Sequence, residues 1–222
     1  MSIHEQLQIC SWFKRQSSAI RAAIVREGRV VALDSGQTAY LEGDEDTGLW
    51  IVLDGELRLH MSGGEDRSAL FATAIPGALF GRSRVGGADA RIVTAIASDA
   101  SRALLLSDRA IERIAAEQPL MWRALADALH NQLDGLLAAL SQMLLLPPRQ
   151  RIAARLLAQA DATGAIRLTQ GEIAEMCGLS RKSVNGHLSA MERAGWIERR
   201  YMAIIIRNPA GLRRAAGTAG ES

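Results

Sequence analysis

Between Thr169 and Leu188 the chain reads TQGEIAEMCGLSRKSVNGHL, a run that admits few folds. Ile173, Ala174 and Cys177 recur at the spacing of one helix face, and Val184, Leu188 and Met191 repeat that pattern after an interruption at Gly178-Leu179. Two short helices joined by a tight turn can pack these faces on one core, and small Ala174 permits close approach. Gly178 suits a reversal at positive φ, and Ser180 is a strong N-cap, so the second helix begins at a defined residue. At about 100° per residue, Lys182, Asn185, Gly186 and Ser189 fall opposite the Val184/Leu188/Met191 stripe, with Arg181 at its N-terminal edge. Long donors therefore project from the unburied face. A helix so decorated fits the major groove of DNA, where Arg or Lys can donate to guanine O6 and N7 and Asn can pair with adenine. A plain amphipathic surface helix shares the periodicity; the distribution of charge decides between them.

From Pro147 onward there are twelve Arg and Lys against six Asp and Glu, whereas the preceding residues carry fourteen against eighteen. The formal net charge of +2 hides this asymmetry. A basic C-terminal third is the electrostatic footprint of a region that neutralises phosphates, with a solvated basic face as the bland alternative. The two cysteines, Cys10 and Cys177, have no metal-ligand spacing, and the N-terminus has no basic-plus-apolar export signal, so a reducing cytoplasm is expected. The richest apolar run, Leu136 to Leu146, is interrupted by Ser141-Gln142 and is too short for a bilayer, so no membrane partner is expected.

The first 26 residues suggest short helices around Leu7, Ile9, Trp12, Phe13 and Ile24. From Gly28 to about Ser107 the period changes to short β-prone runs: RVVAL, TAYL, LWIVL, ELRLHM, SALFATAI, ARIVTAIA and SRALLL. Gly36, Gly43-Asp44, Asp54-Gly55, Gly63-Gly64, Pro76-Gly77 and Gly86-Gly87 punctuate them, as in a hairpin-rich barrel or sandwich. Helical character then returns. Trp122, Ala126, Leu129, Leu133, Leu136, Leu140 and Met143 recur in alternating steps of four and three, the seam of a coiled coil, with Leu125, Leu137 and Leu144 widening the stripe. A buried intramolecular helix is the alternative to a dimer helix. Pro147-Pro148 stops this helix and marks a hinge. Beyond it come a helix from Arg151 to Gln159, a short strand at Ile166-Arg167-Leu168, the helix pair, and two strands, Trp196 to Arg200 and Ala203 to Arg207, joined near Tyr201-Met202 as a wing. The last dozen residues, rich in Ala and Gly, read as a frayed tail. The expected class is α+β: a hairpin-rich β domain with flanking helices over 1–118, a long dimerisation helix over 119–146, and a winged helix-turn-helix over 147–222.

Gly36, Gly43-Asp44, the apolar run Leu49 to Leu53, Gly55 and Leu57 in the β region, with Thr169, Glu172-Ile173-Ala174, Gly178, Ser180-Arg181, Ser183-Val184, Leu188, Glu192, Gly195 and Ile197 in the winged region, make nearly the whole chain resemble the Crp/Fnr family of bacterial transcription regulators. The resemblance implies a homodimer whose long helices pair through Trp122, Leu129, Leu133, Leu136, Leu140 and Met143. It implies an effector site in each β-roll, and two recognition helices one DNA turn apart on an inverted-repeat duplex, with RNA polymerase as a further partner. Arg181 matches the family's guanine-contacting arginine, and Ser180 and Ser183 would hold phosphates. Lys182 stands where well-known members carry glutamate, and Gly186 where many carry a second arginine, so the half-site should differ from the best-known one. Asn185 is an adenine reader on this account. Thr169, Gln170 and Ser189 complete the expected DNA-facing set, with Arg199 and Arg200 on the wing; loss of Arg199 is expected to weaken all sequences alike.

Cyclic-nucleotide-binding members need a glutamate for the ribose, then an arginine for the cyclic phosphate followed by a small hydroxyl residue. Here Arg91 keeps the arginine, but Arg82 replaces the glutamate and Ile92 the hydroxyl residue, and the base-contacting positions of the long helix fall on Leu136 and Leu137. Cyclic AMP is therefore disfavoured, since each lost hydrogen bond is worth about 1 kcal/mol. Arg82, Ser83, Arg84 and Arg91 can instead line an anion pocket, or Asp89 can pair with one of the arginines and leave a purely structural ion pair. The effector is left unassigned. Two cysteines cannot ligate an iron–sulfur cluster, and His4, His60, His130 and His187 are scattered, so no metal or cofactor is expected. No nucleophile elbow, P-loop or placed carboxylate pair occurs, and the chain reads as non-enzymatic. A sensory module acting only through protein partners is the competing class; it leaves the basic excess and Arg181-Lys182 without a role.

Overall fold

A computed structural model describes residues 2–63, 68–87, 89–161, 163–201 and 203–217. Two compact units divide the chain, Met1–Asp134 and Gly135–Ser222. The division falls within a single long helix rather than at the two prolines that follow it.

The first unit opens with helices α1 (Ile3–Leu7), α2 (Ser11–Arg15) and α3 (Ser18–Glu27). Ser2 and Ser17 cap α1 and α3 by accepting from Glu5 N and Ile20 N. Eight strands follow: β1 (Arg29–Leu33), β2 (Thr38–Tyr40), β3 (Gly48–Asp54), β4 (Leu57–Ser62), β5 (Ser68–Ala74), β6 (Leu79–Arg82), β7 (Thr94–Ala97) and β8 (Ser101–Ser107). They form two antiparallel sheets, ordered β1-β8-β3-β6 and β2-β7-β4-β5. Strand β3 explains the continuous apolar run of LWIVL, because it is buried on both faces. Leu49, Ile51 and Leu53 turn toward Phe13, Ile24, Ile111 and Ile114 of the helical layer. Trp50 and Val52 turn into the roll beside Tyr40, Leu57 and Phe80. Helix α4 (Asp108–Glu117) and the start of α5 (Met121–Leu145) complete the helical layer, where buried Trp12 Nε1 donates to Ala124 O at 2.7 Å.

Along α5 the residues on one side, Met121, Ala124, Leu125 and Ala128, are buried, while Trp122, Leu129, Leu133, Leu136, Leu137, Leu140 and Met143 are exposed. The second unit adds α6 (Pro148–Gln159), β9 (Ala165–Ile166), α7 (Gln170–Cys177), α8 (Arg181–Arg193), β10 (Ile197–Arg200), β11 (Ala203–Ile206) and α9 (Pro209–Ala216), its strands ordered β10-β11-β9. The architecture is the expected α+β one, a β-roll followed by a winged helix-turn-helix.

Several local expectations need correction. The strand foreseen in ARIVTAIA is confined to Thr94–Ala97, because Arg91 leaves the ladder to point inward. Strand β6 is an unforeseen element that ends at Arg82 of the expected effector pocket, and α6 opens at Pro148 rather than at Arg151. The short strand lies at Ala165–Ile166 rather than Ile166-Arg167-Leu168. The tail read as frayed includes most of α9, whose Leu212 and Ala216 are buried; Asn208 caps the helix by accepting from Gly211 N at 2.8 Å. Gly64 of the expected Gly63-Gly64 turn, Met202 at the wing tip and the final residues 218–222 lie outside the described residues.

Candidate nucleic-acid interface and β-roll pocket

Helices α7 and α8 owe their mutual angle to a defined start and stop. Thr169 Oγ1 accepts from Glu172 N at 3.2 Å while Glu172 Oε2 accepts from Thr169 N at 2.7 Å, a reciprocal cap that begins α7. Gly178 ends it at φ +62°, a left-handed conformation that costs other residues about 1–2 kcal/mol. A Cβ there would come closest to the flexible end of Met143, Cε at 3.0 Å, so the backbone conformation rather than crowding sets the requirement for glycine. Ser180 Oγ accepts from Ser183 N at 3.2 Å and starts α8. Ile173, Ala174 and Cys177 from α7 and Val184, Leu188 and Met191 from α8 are all buried. Burial pushes the Cys177 thiol up from its usual pKa.

This packing turns the other side of α8 outward. Arg181, Lys182, Asn185 and Gly186 are exposed, and Ser183 and Ser189 are half-buried. The side chains of Arg181 and Lys182 form no hydrogen bond or ion pair with another described residue. Thr169 lies exposed at the start of α7, and Gln170 next to it extends Nε2 to Asn185 Oδ1 at 3.4 Å.

On the wing, Arg199 is tied down. Its main-chain N and Nε donate to Glu192 Oε1 and Oε2, both at 2.8 Å, NH2 lies 2.7 Å from Oε2, and NH1 donates to Asn185 Oδ1 at 3.0 Å. The Arg199 guanidinium holds the Glu192 carboxyl below its ordinary value of 4.5. Arg200 Nε donates to Glu198 Oε1 at 2.7 Å, and Arg207 also pairs with Glu198. Two carboxylates thus offset three wing arginines, a neutralisation the sequence reading did not foresee because strand pairing brings these side chains together.

In the β-roll the expected cationic set is dispersed. Arg91 is 4% exposed; its Nε donates to Asp46 O at 3.0 Å and its NH1 to Gly48 O at 2.8 Å, while its guanidinium lies 4.1 Å from the Tyr40 ring centre. Burial lowers its pKa, partly offset by Tyr40, Asp108, Asp44 and Asp46. Arg84 pairs with Glu45 at 3.0 Å and donates from Nε to the main-chain carbonyl of Asp89, not to its carboxylate. Arg82 NH1 reaches Ala90 O at 3.4 Å. Ser83 is buried and donates to Asp108 Oδ1 at 2.7 Å, and Thr47 also donates to Asp108. Ile92 is exposed. The anion pocket expected from Arg82, Arg84 and Arg91 is therefore not formed, and neither is the Asp89 ion pair. Leu136 and Leu137 belong to the second unit and are exposed.

The interior of the roll holds Tyr40, Trp50 and Phe80 with ring centres 6.0 to 6.4 Å apart, and Arg91 Nε and NH1 are engaged by main-chain carbonyls. At Gly81, φ is +98° and a Cβ would lie 2.6 Å from Gly48 O, so the strand passes too close for a side chain to reshape the cavity. Burial raises the Tyr40 pKa to about 12, leaving its hydroxyl neutral.

Comparison with known proteins assigns both parts of the chain to domain families. Residues 30–118 match the cyclic nucleotide-binding domain family, and residues 150–215 match the Crp-like helix-turn-helix domain family. A CRP-like cAMP-activated global transcriptional regulator of Mycobacterium tuberculosis is 28% identical over 210 residues, covering 90% of this chain and 93% of the relative. The nitrogen fixation regulation protein FixK of Bradyrhizobium diazoefficiens is 27% identical over 215 residues, covering 90% and 88%. The solved structure of FixK2 from Bradyrhizobium japonicum superimposes with a TM-score of 0.76 over 87% of this chain and 99% of the other, at 18% identity, which speaks for the fold. The chain belongs to the Crp/Fnr family. It is a transcription regulator of the Crp/Fnr type, with a DNA-binding helix-turn-helix.

Proposed function

We propose that the protein acts as a homodimer on an inverted-repeat duplex, with α8 of each subunit in the major groove and an effector other than cyclic AMP, or none. The observation that carries this reading is the pairing of a fully buried Val184/Leu188/Met191 face with exposed, unbonded Arg181 and Lys182 at the start of α8. Arg181 donates to a guanine; Lys182 contacts guanine or a phosphate; Ser180 and Ser183 offer hydroxyls to phosphates, and Thr169, Gln170 and Ser189 flank the groove. Arg200 lies near the phosphate backbone with only part of its charge offset. The unpartnered face of α5, from Trp122 through Leu129, Leu133, Leu136 and Leu140 to Met143, is the dimer seam, and two-fold symmetry then dictates the operator's symmetry.

Domains in this reading run 1–118, 119–146 and 147–222. We assign the chain no catalytic role, place its action in the cytoplasm, and take RNA polymerase as its protein partner; among the described residues no helix is long and apolar enough to cross a membrane. The engagement of Arg91 Nε and NH1 by main-chain carbonyls and the aromatic rings inside the roll support a reading without cyclic AMP. Selection of bound duplexes from a random pool, followed by affinity measurements, tests the proposal. Arg181→Ala should cost about 1–3 kcal/mol on the selected operator, roughly a five- to 150-fold loss, and little on random duplex. An equal loss on both would refute the base-reading role.

A further inference from the structure

The side chains around Asn185 fix what it can read. Its Oδ1 lies 3.0 Å from Arg199 NH1 and 3.4 Å from Gln170 Nε2. Arginine has donors only, so the amide must turn its oxygen toward the wing whichever way the group is fitted. The Arg199 side chain cannot swing away without breaking two contacts to Glu192, the Nε bond at 2.8 Å and the NH2 contact at 2.7 Å, while its main-chain N, bonded to Oε1 at 2.8 Å, keeps Glu192 in place. Asn185 therefore presents its NH2 alone to solvent from the exposed face of α8.

Pairing with adenine in both directions needs one donor and one acceptor from the same amide, for N7 and N6. The acceptor here is already engaged. We propose that Arg199, clamped by Glu192, is a positioning residue that converts Asn185 into a donor-only reader, selecting the keto bases guanine or thymine where a free asparagine would select adenine. Guanine fits best, because O6 and N7 both accept in the major groove. The inference rests on the DNA-binding reading above and replaces the expectation that Arg199 serves only as a phosphate contact.

The test uses the full-length protein and a randomised duplex pool sequenced before and after binding. The position read by Asn185 is the one whose preference flattens in Asn185→Ala. Wild type should favour guanine or thymine there. Asn185→Asp keeps its partner Arg199 but presents an acceptor, so preference should invert to the amino bases cytosine or adenine. Arg199→Ala frees Oδ1, and adenine should gain about tenfold over the keto bases at that one position, a shift that mere loosening of the wing would not produce. Adenine preferred by wild type, an Asn185→Asp variant with unchanged preference, or an Arg199→Ala variant weakened equally on all sequences would each overturn the proposal. Failure of wild type to select any duplex would instead refute the regulator reading itself.

Discussion

Replacing Arg91 by methionine separates two accounts of the β-roll. Its two shorter bonds, to the carbonyls of exposed Asp46 at 3.0 Å and buried Gly48 at 2.8 Å, are hydrogen bonds from a cation, and such bonds contribute about 1.5–3 kcal/mol each. The cation over Tyr40 adds about 1–2 kcal/mol. Against this stands the cost of desolvating a guanidinium, several kcal/mol, which methionine would not incur. The balance for Arg91→Met is a loss of about 2–4 kcal/mol, because the buried Gly48 carbonyl loses this donor and the contact with Tyr40 goes with it. In thermal unfolding of the full-length protein that corresponds to a Tm lower by roughly 10 °C. Cyclic AMP in excess should leave the wild-type midpoint in place, whereas a ligand at a hundred times its Kd would add about 2.7 kcal/mol. A methionine variant as stable as wild type, together with a wild-type midpoint raised by the nucleotide, would refute the reasoning and return Arg91 to the ligand.

Two further outcomes follow from contacts in the winged unit. Leu212→Ala should destabilise that unit by about 2–5 kcal/mol in urea unfolding, since Leu212 is fully buried; an exposed tail would show no change. The Glu192–Arg199 clamp should also be pH-dependent. Glu192 has its folded pKa below the ordinary 4.5, so its stabilisation is complete above that value and is lost as pH falls through the lower folded value. The urea midpoints of wild type and Glu192→Gln should accordingly converge on acidification, and a constant gap would count against the clamp.

Features set by neighbours in sequence were legible. Gly178 and Ser180 announced the turn and the start of α8, and the alternation of Val184, Leu188 and Met191 fixed which side faces the core. The signals for α9 were equally present: Asn208 as cap, Pro209 in the first turn, and Gly217 in the left-handed conformation after the last turn. Their message was masked because Ala and Gly dominate the segment, and composition was read ahead of capping. Other features depend on strand pairing that no local pattern encodes. Arg199 meets Asn185 only because β10 runs back beside α8, and Arg91 turns inward only because Asp46 and Gly48 offer carbonyls there. Residue type identified candidate readers and ligands in both places, while their hydrogen-bond partners decided what they can do.

Arg151 spans the step between α5 and α6: NH2 donates to Leu146 O at 3.2 Å and NH1 to Cys177 O at 2.7 Å. One side chain thus splices the end of the rod to the turn that launches the reading helix. Within the second unit, the residue that follows α5 and the turn before α8 share one guanidinium as a common anchor across the proline pair.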